Sequence, residues 1–349
     1  MDENVTAGGG LPTFGERDWV PTADGLRARR PDAAVVGAPF DISTTYRPGA
    51  RFGPRALRAA AYHPGTYHLD LGVELFDYID LVDAGDAYCP HGQTEPSHRN
   101  IEAKVASVVD EGVFPVIIGG DHSITWPAAT AVARRHGWGR LGLIHFDAHA
   151  DTADSLEGNL ASHGTPMRRL IESGAVRGRN FVQIGLRGYW PPPDVFAWMR
   201  EQDMTWHLMQ EVWERGVREV IADAVGRAGD GCDAIYLSVD IDVLDPGAAP
   251  GTGTPEPGGM TAADLLRAVR TIALETPLVA MDVVEVSPPY DHADVTVNNA
   301  HRVIFEVLAG LAHKKRARQG GGPDLPGTAP DPSRFRHPAQ QPGQAPEIN

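Results

Sequence analysis

LGLIHFDAHAD, residues 141 to 151, decides how the rest of the chain is read. An apolar run ends there in Asp147, Ala148, His149, Ala150 and Asp151. In extended backbone, side chains at every second position share one face. If strand geometry persists past the end of the run, Asp147, His149 and Asp151 converge. A single His or Asp at such a place reads as a polar strand end entering a loop. Three potential metal ligands in alternation tip the reading toward a site.

Two other apolar runs have the same form. VFPVIIGGDH, 113 to 122, reads as a buried strand ending in Gly119 and Gly120, followed by Asp121 and His122. DAIYLSVDIDVLDP, 233 to 246, ends in Asp240 and Asp242, again on alternate positions, with Ile241 between them packing into the core. Around these runs, strands alternate with helices. AAVVGAPF at 33 to 40, YIDLVDAG at 78 to 85, NFVQIGL at 180 to 186 and PLVAMDVVEVSP at 277 to 288 read as strands. Amphipathic segments such as SHRNIEAKVASVVDEG, with Ser97 as its N-cap, and TAADLLRAVRTIAL read as helices. Pro54 stands near the start of another helix, where its fixed φ is tolerated. This order and the continuous apolar strands predict an α/β fold, a single three-layer α/β/α domain with a mostly parallel sheet. The domain spans 33–318. Residues 1–32 are Gly-rich and polar and read as a loosely attached N-terminal arm. Residues 319–349, rich in Pro, Gly and Gln, read as a disordered tail.

Composition excludes several classes. Of 349 residues, 42% are hydrophobic and 7% aromatic, as in an ordinary globular protein. A formal net charge of −15 argues against nucleic acid or an anionic membrane as partner and suits a cationic substrate. The only cysteines, Cys89 and Cys232, form neither a disulfide framework nor a zinc pattern, which points to a reducing compartment. The N-terminus has no signal-peptide pattern and no apolar segment is long enough to span a bilayer, so a cytoplasmic location is expected.

In an open parallel sheet, ligands bind at the carboxyl ends of the strands. His122, the Asp147–His149–Asp151 group and the Asp240–Asp242 pair all fall on that edge. Two imidazoles and four carboxylates are too acidic for a structural zinc site and suit two divalent ions. Mn²⁺ is the first choice by ligand type, with Ni²⁺, Fe²⁺, Co²⁺ and Zn²⁺ also compatible with imidazole. Bridging carboxylates hold such ions about 3.5 to 4 Å apart, and a bridging water then becomes the nucleophile.

The motifs GGDHS, DAHAD and SVDIDVLDP, in this order, make the chain similar to the ureohydrolase family, which includes arginase, agmatinase and guanidino-acid hydrolases. The resemblance covers about residues 33 to 315. It extends to GAPFDISTTYRPGARFGPRALR, SHGTP at 162 to 166, PGTGTPEPGG at 250 to 259 and DVVEVSPPYD at 282 to 291. It implies one ion held by His122, Asp147, Asp151 and Asp240, and another by His149, Asp147, Asp240 and Asp242, with Asp147 and Asp240 as bridges. It also implies that Asp151 accepts a hydrogen bond from the bridging hydroxide, that His163 shuttles protons and that Glu285 pairs with the guanidinium. The products are urea and an amine. The agmatinase branch looks nearest, making agmatine the first substrate; guanidinobutyrate, other guanidino acids and guanidine are alternatives. The family usually forms trimers or hexamers, and a homo-oligomer is expected here.

Other polar residues have plainer readings. His145 reads as a core residue or one that supports a ligand, His136 as a complement to a helix dipole, and Asp245 as turn chemistry. Asp121 orients a ligand rather than binding metal. Arg47 and Arg51 read as structural ion pairs or contacts to substrate or a neighbouring subunit. In GLRGYWPPP, 185 to 193, Tyr189 and Trp190 follow a strand end, where their rings either narrow the pocket or anchor an interface. The contrasting class is a non-catalytic paralogue that stabilises an active partner; it is expected to lose ligands, and all six are present.

Overall fold

The computed structural model describes residues 12–60 and 65–321. Its strands are Ala33–Ala38 (β1), Tyr67–His68 (β2), Val73–Glu74 (β3), Leu81–Asp86 (β4), Phe114–Gly119 (β5), Leu141–Phe146 (β6), Val176–Leu186 (β7), Thr205–Leu208 (β8), Ala234–Asp240 (β9) and Leu278–Val284 (β10). The helices are Ala23–Arg29 (α1), Gly53–Ala59 (α2), Leu75–Tyr78 (α3), Thr94–Val109 (α4), Thr125–His136 (α5), Pro166–Glu172 (α6), Pro193–Glu201 (α7), Met209–Arg215 (α8), Val217–Gly229 (α9), Ala262–Glu275 (α10) and Val295–Arg318 (α11).

Eight strands form one sheet in the order β4-β1-β5-β10-β9-β6-β7-β8, and every pairing in it is parallel. A short antiparallel hairpin, β2 with β3, stands apart. The apolar runs are explained by burial on both faces. Within β9, Ile235, Leu237 and Val239 face one core with α8 to α11, while Ala234 and Tyr236 face the other with α1 and α4 to α7. This period of two, with both faces covered, makes the three layers. The topology also makes a crevice. After β5 the chain enters β6 three positions away, and β9 and β10 return later to fill the gap. Four central strands with distant sequence origins thus bring their carboxyl ends together, where such sheets bind ligands.

Two local expectations change. Ser97 does not cap α4. The helix begins at Thr94, and Ser97 Oγ instead donates to the carbonyl of Gln93 at 2.6 Å. Residues 12–32 pack on the domain. Phe14 is fully buried with its ring 4.7 Å from that of His301 on α11, its N–H donates to Asp83 at 2.9 Å, and Leu26 is buried. These apolar anchors outweigh the polar composition of the stretch. Residues 1–11, and 322–349 of the expected tail, lie outside the described residues. No helix among the described residues is long and apolar enough to cross a membrane.

Candidate metal centre and reaction cavity

The first candidate ligand, His122, is delivered by the end of β5. Gly120 lies so close to β1 that a Cβ there would stand 2.4 Å from the carbonyl oxygen of Phe40 and 2.5 Å from that of Ala38. This approach lets Asp121 N–H donate to Phe40 O at 2.7 Å and Glu285 N–H donate to Gly120 O at 2.8 Å, tying β1, β5 and β10 together. Asp121 then caps the turn His122–Ile124, accepting from Ser123 N at 3.0 Å and from Ser43 Oγ at 2.7 Å. Burial and the nearby Glu285 push its carboxyl up to about 6. Its oxygens are spent on holding the loop, in keeping with an orienting role.

His122 Nδ1 faces three carboxylates: Asp147 Oδ2 at 3.0 Å, Asp151 Oδ2 at 3.1 Å and Asp240 Oδ2 at 3.1 Å. Its other nitrogen, Nε2, is 2.9 Å from Ser238 Oγ, which donates to Asp282 Oδ1 at 2.7 Å. His149 Nδ1 lies 3.0 Å from Asp242 Oδ2 and 3.4 Å from Asp147 Oδ1. The two oxygens of Asp147 therefore point at different imidazoles, the arrangement a bridging carboxylate needs.

Strand alternation is not what brings these groups together. β6 ends at Phe146, so Asp147 to Asp151 lie in a loop, and Asp151 adopts φ 52°. β9 ends at Asp240, and Ile241–Val243 is a tight turn in which Asp240 Oδ1 accepts from Asp242 N at 2.8 Å. Ile241 is fully buried, as expected. The carboxylates converge because each strand end folds back on its own side chain. Left-handed backbone at Asp151 and at Glu285, φ 61°, costs of order 1–3 kcal/mol each and is stored at the site itself.

The charge pattern asks for cations. Burial lowers the imidazoles of His122 and His149, but facing carboxylates overcome it and hold both well above the ordinary histidine value. Burial raises the Asp240 carboxyl well above its usual range, with Asp242 and Asp147 adding to the shift. Burial raises Asp242 as well, with Asp147 reinforcing it. Imidazoles and carboxylates that face one another this closely would exchange shared protons for a divalent ion, and the donor set fits a hard or borderline one. His145 supports the centre from beneath: Nε2 is 2.9 Å from Asp147 Oδ2, and Nδ1 is 3.0 Å from Gln183 Nε2.

A cavity of about 220 Å³ opens over this centre. Asp151, His149 and Asp240 form its floor, with His163, Glu285, Thr45, Leu156, Gly164, Trp190 and Thr254 around them. Glu285 Oε1 accepts from His122 N at 2.9 Å and lies 3.1 Å from His163 Nδ1, whereas Oε2 is buried without a hydrogen-bond partner among the described residues. Burial lowers the His163 imidazole, yet Glu285, with Asp151 and Asp121, outweighs it and raises the imidazole to about 9. Thr45 offers His163 Nε2 both a donor, its N–H at 3.2 Å, and an acceptor, its Oγ1 at 2.9 Å. Both protonation states of that nitrogen are thus accommodated.

The plainer readings also find their places. Asp245 accepts from Gly247 N and Gly258 N at 2.9 Å each, which is turn chemistry. Arg51 pairs with buried Asp41. Arg47 stacks over Tyr46 and Tyr290. Sequence reasoning missed Ser238, Asp282, Gln183 and Thr45. A signal existed for Asp282, an acid inside an otherwise apolar strand; a hydroxyl or amide among apolar residues carries none.

Such a sheet edge can hold divalent cations beside an acid and a carboxylate fork, which places the chain among the metal-dependent α/β/α hydrolases. Comparison with known proteins narrows the class. The profile of the arginase family matches residues 31–310. The chain is similar to the guanidinobutyrase of Pseudomonas aeruginosa, with 38% identity over 80% of this chain and 86% of that protein. It is also similar to the mitochondrial agmatinase of Gallus gallus, with 39% identity over 83% and 82%. Among solved structures, the proclavaminate amidino hydrolase of Streptomyces clavuligerus superposes with a TM-score of 0.80 at 35% identity, covering 88% of this chain and 99% of that one. The chain belongs to the arginase family of hydrolases, which cleave guanidino and related amidine groups.

Proposed function

We propose that this chain hydrolyses agmatine to putrescine and urea at a centre of two divalent ions, Mn²⁺ before Ni²⁺. His122, Asp147, Asp151 and Asp240 hold one ion in this reading; His149, Asp147, Asp240 and Asp242 hold the other. The observation that carries it is the buried Oε2 of Glu285, which has no hydrogen-bond partner among the described residues and belongs to a side chain that lines one cavity with His149, Asp151 and Asp240 of that set. A buried carboxylate oxygen without a donor is costly to leave so, and a guanidinium N–H is the donor it matches.

Bound divalent ions supply hydroxide near neutrality by lowering the pKa of water from about 15.7 to about 7. The chain does the rest. Glu285 orients the planar cation over the centre. Asp151, on the cavity floor, accepts a hydrogen bond from the attacking water. His163 carries a proton at neutral pH and gives it to the leaving amine, while Thr45 keeps Nε2 in place before and after the transfer. Agmatine is preferred over guanidino acids because no Lys or Arg stands among the described residues lining the cavity. A carboxylate tail would meet Asp and Glu with nothing to pair it.

The location follows as cytoplasmic, and the assembly as a homo-oligomer, a trimer or hexamer. Exposed rings such as Tyr88, 75% accessible, support burial against a copy. Urea release from agmatine, guanidinobutyrate, guanidinopropionate, arginine and guanidine, with Mn²⁺ and with Ni²⁺, tests the reaction. Agmatine should give the highest kcat/KM; a guanidino acid in first place would replace the substrate reading.

A further inference from the structure

We infer that Trp190 sets the length of substrate tail the chain accepts, by walling the reaction cavity off from a second, larger one. This deepens the proposed reaction and rests on it. The second cavity, about 400 Å³, lies against the first, and among the residues lining the two Trp190 alone belongs to both. Trp190 therefore stands where the two meet, and its indole is the group on that residue large enough to close one from the other. Tyr189, its neighbour in sequence, lines only the outer cavity and is fully exposed, so the two aromatic residues after β7 have separate roles.

The outer cavity would suit an extended alkyl tail. Phe196, Leu208, Met209 and Trp213 supply apolar walls. Arg187 lines it too, but its guanidinium already donates to the carbonyls of Asp242 at 2.7 Å and Glu256 at 2.6 Å, which leaves it committed inward. With Trp190 in place, a tail reaching the indole stops there, and short guanidino compounds with a neutral or cationic end fit best. An aromatic face also attracts the cationic end of such a tail. Removing the indole joins the two spaces and gives long apolar tails somewhere to go.

The test is a series of guanidinoalkylamines, from agmatine to analogues with twice its methylene chain, assayed for urea release with the metal-loaded wild type, Trp190→Phe and Trp190→Ala. The ratio of kcat/KM for the longest analogue to that for agmatine should rise from wild type through Phe to Ala, by about tenfold or more at the end, as pocket contacts of one or a few methylenes allow. If Trp190→Ala does not fold, the Phe variant still reads the direction. An unchanged ratio in variants that release urea overturns the role of Trp190 alone. A wild type that releases no urea from any guanidino compound overturns the reaction, and this inference with it.

Discussion

Ser238 has one hydroxyl proton, and its neighbours decide where it points. Asp282 already accepts from Tyr236 and Thr125, each at 2.7 Å, and takes the Ser238 proton on its other oxygen. Ser238 is left with lone pairs, so His122 Nε2 donates to it, and Nδ1, which faces the carboxylates, is the nitrogen left for an ion once its proton is displaced. Asp282→Asn frees Ser238 to donate toward Nε2 and favours the wrong tautomer. Together with Ser238→Ala, it should weaken Mn²⁺ binding about 10- to 100-fold in a calorimetric titration; an unchanged Kd would remove the relay. The second residue-scale consequence concerns His163. Because Glu285, with Asp151 and Asp121, overcomes burial and raises it to about 9, the imidazole is the acid form through neutrality and loses its proton as pH rises through that value. Wild-type kcat/KM, which reports the free enzyme, should fall above about pH 9. His163→Ala should be slower overall and lack that falling limb, and a limb that persists in the variant would assign it to another group.

At the scale of elements, the centre depends on how strand ends are finished. Gly120 is the seam between β1, β5 and β10, and a methyl there meets two backbone oxygens that cannot swing aside. Gly120→Ala should therefore lose about 1–3 kcal/mol of stability, as overpacking does, and shift His122 and Glu285 together. Denaturant unfolding measures the first effect and metal affinity the second; a variant with wild-type values for both would show that the seam tolerates movement. The strands themselves were legible, because burial on both faces leaves an unbroken apolar run that no turn interrupts. The candidate ligands stood out by residue type and position for the same reason, each standing where a run stops. Their geometry was not. Asp147 to Asp151 and Asp240 to Asp242 look like continued alternation in a linear sequence, and only the three-dimensional turn shows that Asp240 holds the amide of Asp242. Ser97 misled similarly, since a serine inside a helix and one capping it differ by where the preceding residues go. The packing of Phe14 on α11 depends on residues nearly three hundred positions apart and leaves no local trace.

For the whole molecule, the net charge of −15 and the raised carboxyls of Asp240 and Asp242 describe a fold that gains stability when cations arrive. At a free ion concentration a hundred times Kd, each site adds about 2.7 kcal/mol, so Mn²⁺ should raise Tm and a chelator should lower it. The sign of the pH dependence follows from His122 and His149. Both are held well above the ordinary imidazole value in the metal-free chain, so an ion must displace their protons. Metal stabilisation should shrink as pH falls and grow as it rises; an equal gain in Tm at about pH 6 and about pH 8.5 would contradict that competition. The measurement that bears most directly on the central claim is urea formation from agmatine by protein shown to carry two Mn²⁺ per chain. Urea and putrescine appearing in equal amounts is the expected result. Two bound ions with no urea from agmatine or from any other guanidino compound would contradict it, and would leave the chain an arginase-family fold without the reaction.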